Sequence, residues 1–311
     1  MVRNSRKTFL RAALAILLTI LLTACAAPNQ TRPRVHFDGN NTQVIALTPY
    51  YLPDPQEQRG DHAWQLTLKV SDGKPYFGLI KAHSLLIDPL IAYVTQLNLQ
   101  PGQTVVVPKT LQQAGCRGQT TVQLAIATTG ALSGSLDYEN YADNCGLTYN
   151  AALTVTGQLD TATGQLELNL DYVRLPAQLE QRRFLLSGQL QLTMNAYQGK
   201  QQRYLVHSHM LIDEVNQRQV QLTDGLLSWD LSGRYPAFSI TGTVAIPEFG
   251  TAVIVTDSPL LSYAKDSPPF DGVLIFKGAE ASWRRLYFPK STDPGAFRID
   301  GSNGMRTLGK F

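Results

Sequence analysis

The sequence predicts an all-β fold, an antiparallel β meander that forms a curved sheet, half-barrel or sandwich, with one amphipathic helix. After residue 115, apolar and polar residues alternate in one run after another, which is typical of strands with a single buried face. Short turns join these runs and therefore favour antiparallel neighbours. Helical spacing is clear in one stretch of the chain.

The first elements are a strand and that helix. Residues 63–70 alternate as a strand, and residues 87–102 have helical periodicity. Asp88 can cap the helix and Pro89 suits its first turn, so we expect the helix to begin there. Its apolar side should pack on the sheet. This side consists of Leu90, Ile91, Val94 and Leu97.

Two hairpins follow. Residues 152–160 and 165–173 flank a turn that contains glycine, and residues 184–197 and 203–215 flank a second such turn. Alternation assigns one set of side chains to the core, both here and in the later strands. The set is Leu153, Val155, Leu159, Leu166, Leu168, Leu170, Tyr172, Phe184, Leu186, Leu190, Leu192, Met194, Leu227, Trp229, Leu231, Phe238, Ile240, Val244 and Ile246.

Residues 251–256 and 272–278 are apolar at consecutive positions, so we expect both faces of these strands to be buried. Ser-Gly or Thr-Gly steps also recur near the start of several runs, at irregular spacing. They are compatible with a stacked β architecture or with a meander that uses glycine at bends, and we favour the meander.

The N-terminus has the build of a secretory signal peptide. It begins with basic residues and no acid, continues as an apolar run over 12–22, and ends in small residues. The apolar run is shorter than the roughly 20 residues of an ordinary membrane span. An uncleaved anchor is the alternative. The basic residues are Arg3, Arg6, Lys7 and Arg11.

The last four residues of this segment, Leu22-Thr23-Ala24-Cys25, resemble the lipobox of bacterial lipoproteins. The resemblance implies cleavage before Cys25, a diacylglyceryl group on its sulfur and an acyl chain on its nitrogen. Ala26 stands where inner-membrane lipoproteins often carry Asp. The resemblance therefore implies an outer-membrane protein that faces the periplasm.

This assignment divides the chain into a signal peptide (1–24), a lipidated cysteine with a flexible tether (25–34) and a β-rich periplasmic domain (35–311). A boundary inside the domain would fall near 103–115. Removal of the signal peptide leaves 287 of the 311 residues and changes the formal charge from +3 to −1. The basic character belongs to the removed segment, so we expect no nucleic-acid partner.

Two cysteines remain, Cys116 and Cys145. In an oxidising compartment such a pair is expected to form a disulfide, which closes a loop of about 30 residues and contributes about 3–4 kcal/mol.

Motifs with a known mechanism are missing from the sequence. It has no Gly-x-Ser-x-Gly, His-Glu-x-x-His, Cys-x-x-Cys or P-loop string. Two Ser-x-x-Lys strings, Ser71–Lys74 and Ser262–Lys265, fall in turn-like segments and not on helices. We therefore expect neither enzymatic activity nor a cofactor.

The weak metal candidates are His207, His209 and Asp213, which spacing by two would place on one face of a strand. Ordinary surface or packed histidines are the alternative.

An acidic loop offers a second weak candidate, for calcium, although its spacing does not match the twelve-residue calcium loop. Its oxygen ligands would be Asp137, Glu139, Asp143 and Asn144. Tyrosines in the same loop and near the N-terminus suit either sugar stacking or packing. They are Tyr138, Tyr141, Tyr50 and Tyr51.

Together these observations favour a non-enzymatic outer-membrane lipoprotein with a binding or assembly role. Its partners would be the membrane, through the N-terminal lipid, and an envelope protein or a lipid. A curved apolar face could hold a lipid or an acylated partner, as in periplasmic lipoprotein carriers, by analogy of fold alone. The alternatives are a periplasmic enzyme acting on cell-wall glycan or peptide, and a glycan- or calcium-binding module.

Overall fold

The structure is a computed structural model, and residues 34–311 form one compact unit in it. It describes residues 34, 35, 37, 79–97, 99, 109–142, 147–179, 181–214, 218–247, 249–265, 267–290, 296–302, 304 and 306–310. The predicted signal peptide, Cys25 and the strand predicted at 63–70 lie outside these residues.

The described residues form one helix and fourteen strands. The helix is α1 (Leu79–Gln96). The strands are β1 (Lys109–Ala114), β2 (Arg117–Ile126), β3 (Ala131–Ala142), β4 (Thr148–Leu159), β5 (Gln165–Leu179), β6 (Arg182–Asn195), β7 (Gln201–Asp213), β8 (Arg218–Asp230), β9 (Ala237–Ile246), β10 (Gly250–Ser262), β11 (Pro269–Lys277), β12 (Trp283–Phe288), β13 (Ala296–Gly301) and β14 (Arg306–Lys310).

Every strand pairs with its neighbours in chain order, so the fourteen strands make a single meander. The pairs are antiparallel throughout. Among the described strands β1 and β14 are not paired to each other, and the sheet is therefore open. The predicted fold, an antiparallel meander with one helix, is confirmed.

The predicted core face is also confirmed. The side chains assigned to it between residues 153 and 246 are buried, apart from Trp229 and Leu231, which are half-buried. β1 pairs with β2 and so belongs to the same sheet as the later strands.

The prediction that 251–256 and 272–278 are buried on both faces is wrong. Ile254 of β10 and Phe276 of β11 are buried, but their neighbours Val255 and Ile275 are partly exposed. β-branched residues are favoured in strands whether or not the face that they occupy is buried. Their presence on the outer face therefore does not indicate that this face is buried.

The helix begins nine residues earlier than predicted, at Leu79. Pro89 therefore lies inside α1, and Asp88 binds Lys265 instead of capping the N-terminus. Proline removes one hydrogen bond from a helix interior, a loss that packing must offset. Because α1 is buried over most of its length, with Thr95 and Gln96 exposed in the last turn, tertiary contacts provide that compensation. The helix lies against β2, β6 and β7.

Glycines explain how the sheet curves. Gly134, Gly157 and Gly188 each stand opposite a large inward side chain on the neighbouring strand. A methyl group on any of them would come within about 3.0 Å of that neighbour. Glycine thus makes room for the larger residue and lets the strands bend. The opposing residues are Leu124, Leu168 and Tyr172.

Candidate functional site

The predicted metal face does not exist. In β7, Ser208 pairs with Gln189 and Val206 pairs with Leu190, so His207 is the extra residue of a β-bulge. The bulge turns His207 to solvent and His209 into the core, and the prediction that they share a face is wrong. No group of three metal-ligating side chains occurs in the described part of the chain.

Asp213 is buried, but it has a partner of opposite charge. Arg182 Nη2 lies 2.7 Å from Asp213 Oδ2, and the aspartate side chain is fully buried. Since a buried charge is tolerated when it is paired, this ion pair has a structural explanation. It joins the first residue of β6 to the last residue of β7, at the open end of their hairpin.

His209 packs instead against α1. Its ring stacks on that of His83, with 4.0 Å between the centroids and 3° between the planes. Nδ1 of His83 shares a hydrogen bond with the hydroxyl of Tyr172. Burial lowers the pKa of His83 to about 3, and it lowers the pKa of His209 well below the ordinary value, with a contribution from His83. The pair is therefore neutral at neutral pH, and it fixes the helix to β5 and β7.

Two tyrosines hold the other side of the helix. The hydroxyl of Tyr149 donates to the carbonyl oxygen of Ala82 at 2.6 Å, and that of Tyr138 donates to the carbonyl oxygen of Leu86. Burial raises the pKa of both phenols well above the ordinary value, so they remain donors. Tyr138 and Tyr141 are buried, which fits the packing alternative and not the stacking of a sugar.

Lys265 connects the helix to β7 and β8. Its Nζ lies 2.6 Å from Asp88 Oδ1 and 3.1 Å from Gln202 Oε1, which also accepts a hydrogen bond from the hydroxyl of Tyr204. The ammonium group lies 5.7 Å from the centre of the Trp229 ring. The lysine of the Ser262–Lys265 string thus has a structural role at the helix.

The remaining sequence candidates are only partly described. Asp137 accepts a hydrogen bond from Ser135, and Glu139 accepts one from Gln119 at 2.7 Å. Cys116 is disulfide-bonded. Outside the described residues lie Cys145, Asp143, Asn144, Tyr50, Tyr51, Ser71 and Lys74. The calcium site and the Cys116–Cys145 pairing therefore stay predictions.

A second group of contacts lies where Arg34 and Val35 meet the sheet, at β10 and at the turn that follows β11. Val35 donates its N–H to the carbonyl of Thr251, and its own carbonyl accepts the N–H of Ala279 at 2.7 Å. Phe37 is buried, with the Arg284 guanidinium 5.0 Å from its ring centre. Residues 34, 35 and 37 are therefore held against the sheet.

A cavity of about 470 Å³ opens beside this entry point. Its lining includes the cations Arg34, Lys277 and Arg285, together with Trp283 and one acid, Glu280. Along β12 the outward positions are Trp283, Arg285 and Tyr287, so cationic and aromatic side chains share one surface.

The surface continues across β13 and β14. The guanidinium of Arg298 lies 4.3 Å from the centre of the Tyr287 ring, and Leu308 stands next to Arg298 in register and is 75% exposed. We call this surface the basic–aromatic face. It consists of Arg34, Lys277, Trp283, Arg285, Tyr287, Arg298 and Leu308. Asp300 lies on the same face, opposite Arg285 in register, and its Oδ2 is 3.1 Å from Nη2 of Arg298.

Sequence reasoning missed this face because Arg34 was assigned to the tether and 272–278 was interpreted as a strand buried on both sides. The signal was the alternation of residues 283–287, where aromatic and basic residues occupy every second position. No family model matches the chain, and neither a curated protein nor a solved structure shows significant similarity to it. Function must therefore follow from the chemistry of these residues.

Proposed function

We propose that the chain is a lipid-anchored, non-enzymatic protein of the bacterial outer membrane, facing the periplasm, with a binding or assembly role at the membrane surface. The observation that carries this proposal is the docking of Arg34 and Val35 beside β10, because these residues directly follow the predicted tether. The eight residues 26–33 span at most about 29 Å when fully extended. The sheet would thus stay close to the membrane.

The interior supports a role without catalysis. The inward polar groups that could carry chemistry hold elements together: Lys265 binds Asp88, and Arg182 binds Asp213. His83 and His209 are buried and neutral. A catalytic acid or base needs access to substrate, which the buried His83, His209 and Asp213 do not have.

The inner face favours a solid core over an internal lipid site. The helix α1 already lies on the apolar side of the sheet, and the inward residues of the predicted core set are mostly buried. No helix in the described residues is long and apolar enough to cross a membrane. Because α1 lies on the inner face, the proposal gives the binding role to the outer surface.

Lipidation of Cys25 is the direct test. The full chain and its Cys25→Ser variant are expressed in a bacterium with an outer membrane, and the mass of the N-terminal peptide is measured. We expect the wild type to begin at a diacylglyceryl- and acyl-modified Cys25 and to sediment with the outer membrane, because several acyl chains give firm anchoring.

The matched control is Cys116→Ser, the same chemical change at a position outside the lipobox, which should retain the lipid. An unmodified N-terminus in the wild type, or cleavage at another position, would contradict the anchor.

A further inference from the structure

We propose that the basic–aromatic face binds the phosphate groups of an anionic lipid surface, namely the headgroups of the membrane that holds the anchor. The inference rests on the proposed function for the position of that membrane. It adds a ligand class, phosphate on a lipid headgroup, and the residues that would bind it.

Charge is the first argument. Three cations and one acid line the cavity beside residue 34. Nη2 of Arg285 lies 3.9 Å from Oδ2 of Asp257. Both side chains are more than a third exposed, so water screens this ion pair. Nη1 of Arg285 donates a hydrogen bond to the hydroxyl of Tyr287 at 3.1 Å, whereas Nε is buried and has no hydrogen-bond partner among the described residues. Guanidinium groups bind phosphate with two parallel hydrogen bonds, and a lysine adds a point charge.

The aromatic side chains are the second argument. Trp283 and Tyr287 flank Arg285 on β12, with 5.8 Å and 5.7 Å between its guanidinium carbon and their ring centres. Tryptophan and tyrosine have an apolar ring and a polar group, and they are enriched at the headgroup level of membranes. Leu308 adds an exposed apolar side chain two strands away. A soluble phosphate compound would use the cations but would gain nothing from this leucine.

Position is the third argument. Arg34 both lines the cavity and pairs with Thr251 of β10, and it stands nine residues after Cys25. An extended chain of nine residues covers about 30–32 Å. The cavity is therefore within reach of the headgroups around the anchor, and tethering raises their effective concentration there.

The test uses the mature chain from residue 25 with Cys25→Ser, so that no lipid tethers it; residues 34–311 form a compact unit of their own. Sedimentation with vesicles of phosphatidylcholine, with and without phosphatidylglycerol, measures binding. We expect binding to the anionic vesicles only, weakened by salt. Lys277→Gln and Arg285→Gln should each lower the affinity about fivefold.

The matched control is Arg203→Gln, which removes an exposed cation from β7, away from this face, and should leave binding unchanged. An equal loss in the control would show unspecific charge attraction and overturn the proposal. Binding of glycerol phosphate without binding of vesicles would identify a site for a free phosphate and would also overturn it. Absence of binding to anionic vesicles would refute the headgroup site, while the lipidation of Cys25 is measured separately.

Discussion

At the scale of single residues, the two histidines of β7 show how one inserted residue changes a role. Without the bulge at His207, His207 and His209 would point to the same side. With it, His207 is exposed while His209 stacks on His83 inside the core. The spacing of His207 and His209 predicts a pair of metal ligands. In the structure, His207 is a surface residue and His209 is a residue of the core.

The buried histidines predict a loss of stability in acid. In the unfolded chain each histidine binds a proton near its ordinary pKa of 6.5, whereas the folded pKa of His83 is about 3 and that of His209 is also lowered. Between these values the unfolded state binds more protons, so the free energy of unfolding falls as pH falls from 6.5 toward 3. The slope is about 1.4 kcal/mol per pH unit for each histidine.

His209→Phe keeps a ring in the stack and removes one titrating group. We expect the difference in Tm between about pH 7.5 and about pH 5 to shrink in this variant. His207→Phe is the control on the same strand, and since its side chain is exposed, the wild-type difference should remain. Equal differences in the two variants would contradict this role for His209.

At the scale of elements, the Ser-Gly and Thr-Gly steps at Gly134, Gly157 and Gly188 have a common physical reason, because each glycine stands opposite a large inward side chain. At Gly188, a Cβ atom would lie 2.4 Å from the Cζ and hydroxyl oxygen of Tyr172, the residue that binds His83. The glycine is thus part of the arrangement that holds α1. A substitution there affects both a strand pair and the contact between helix and sheet.

Gly188→Ala should therefore lower the free energy of unfolding by about 1–3 kcal/mol, the range for an overpacked core. Urea denaturation measures this change. Gly233→Ala is the matched control, because its nearest neighbour would be 3.5 Å away and it lies in an exposed turn. The control should be neutral or slightly stabilising. A loss of the same size at both positions would rule out a specific clash with Tyr172.

At the scale of the whole molecule, the chain makes a sheet in which neighbours in sequence are neighbours in space. Arg117 pairs with Ala142, so Cys116 and the position of Cys145 along the chain flank the open end of the hairpin β2–β3. A cross-link there would restrict the unfolded chain and leave the strand pairing intact.

Replacing both Cys116 and Cys145 by serine should lower the free energy of unfolding by about 3–4 kcal/mol under oxidising conditions. The measurement is urea denaturation of both proteins with and without reductant. Reductant should lower the stability of the wild type and leave the variant unchanged. If reductant does not change the free energy of unfolding of the wild type, a stabilising disulfide between these cysteines is excluded.

The sequence by itself determined the antiparallel meander and its buried face, because alternation and short turns are local properties of the chain. It also located most of the helix. Only the tertiary structure decided where α1 begins, since packing of the segment 79–87 offsets the presence of Pro89. The stacking of His209 on His83 and the docking of residue 34 beside Thr251 likewise depend on contacts between residues far apart in sequence. Such contacts have no local periodicity, so the basic–aromatic face emerged only when the strands were assembled.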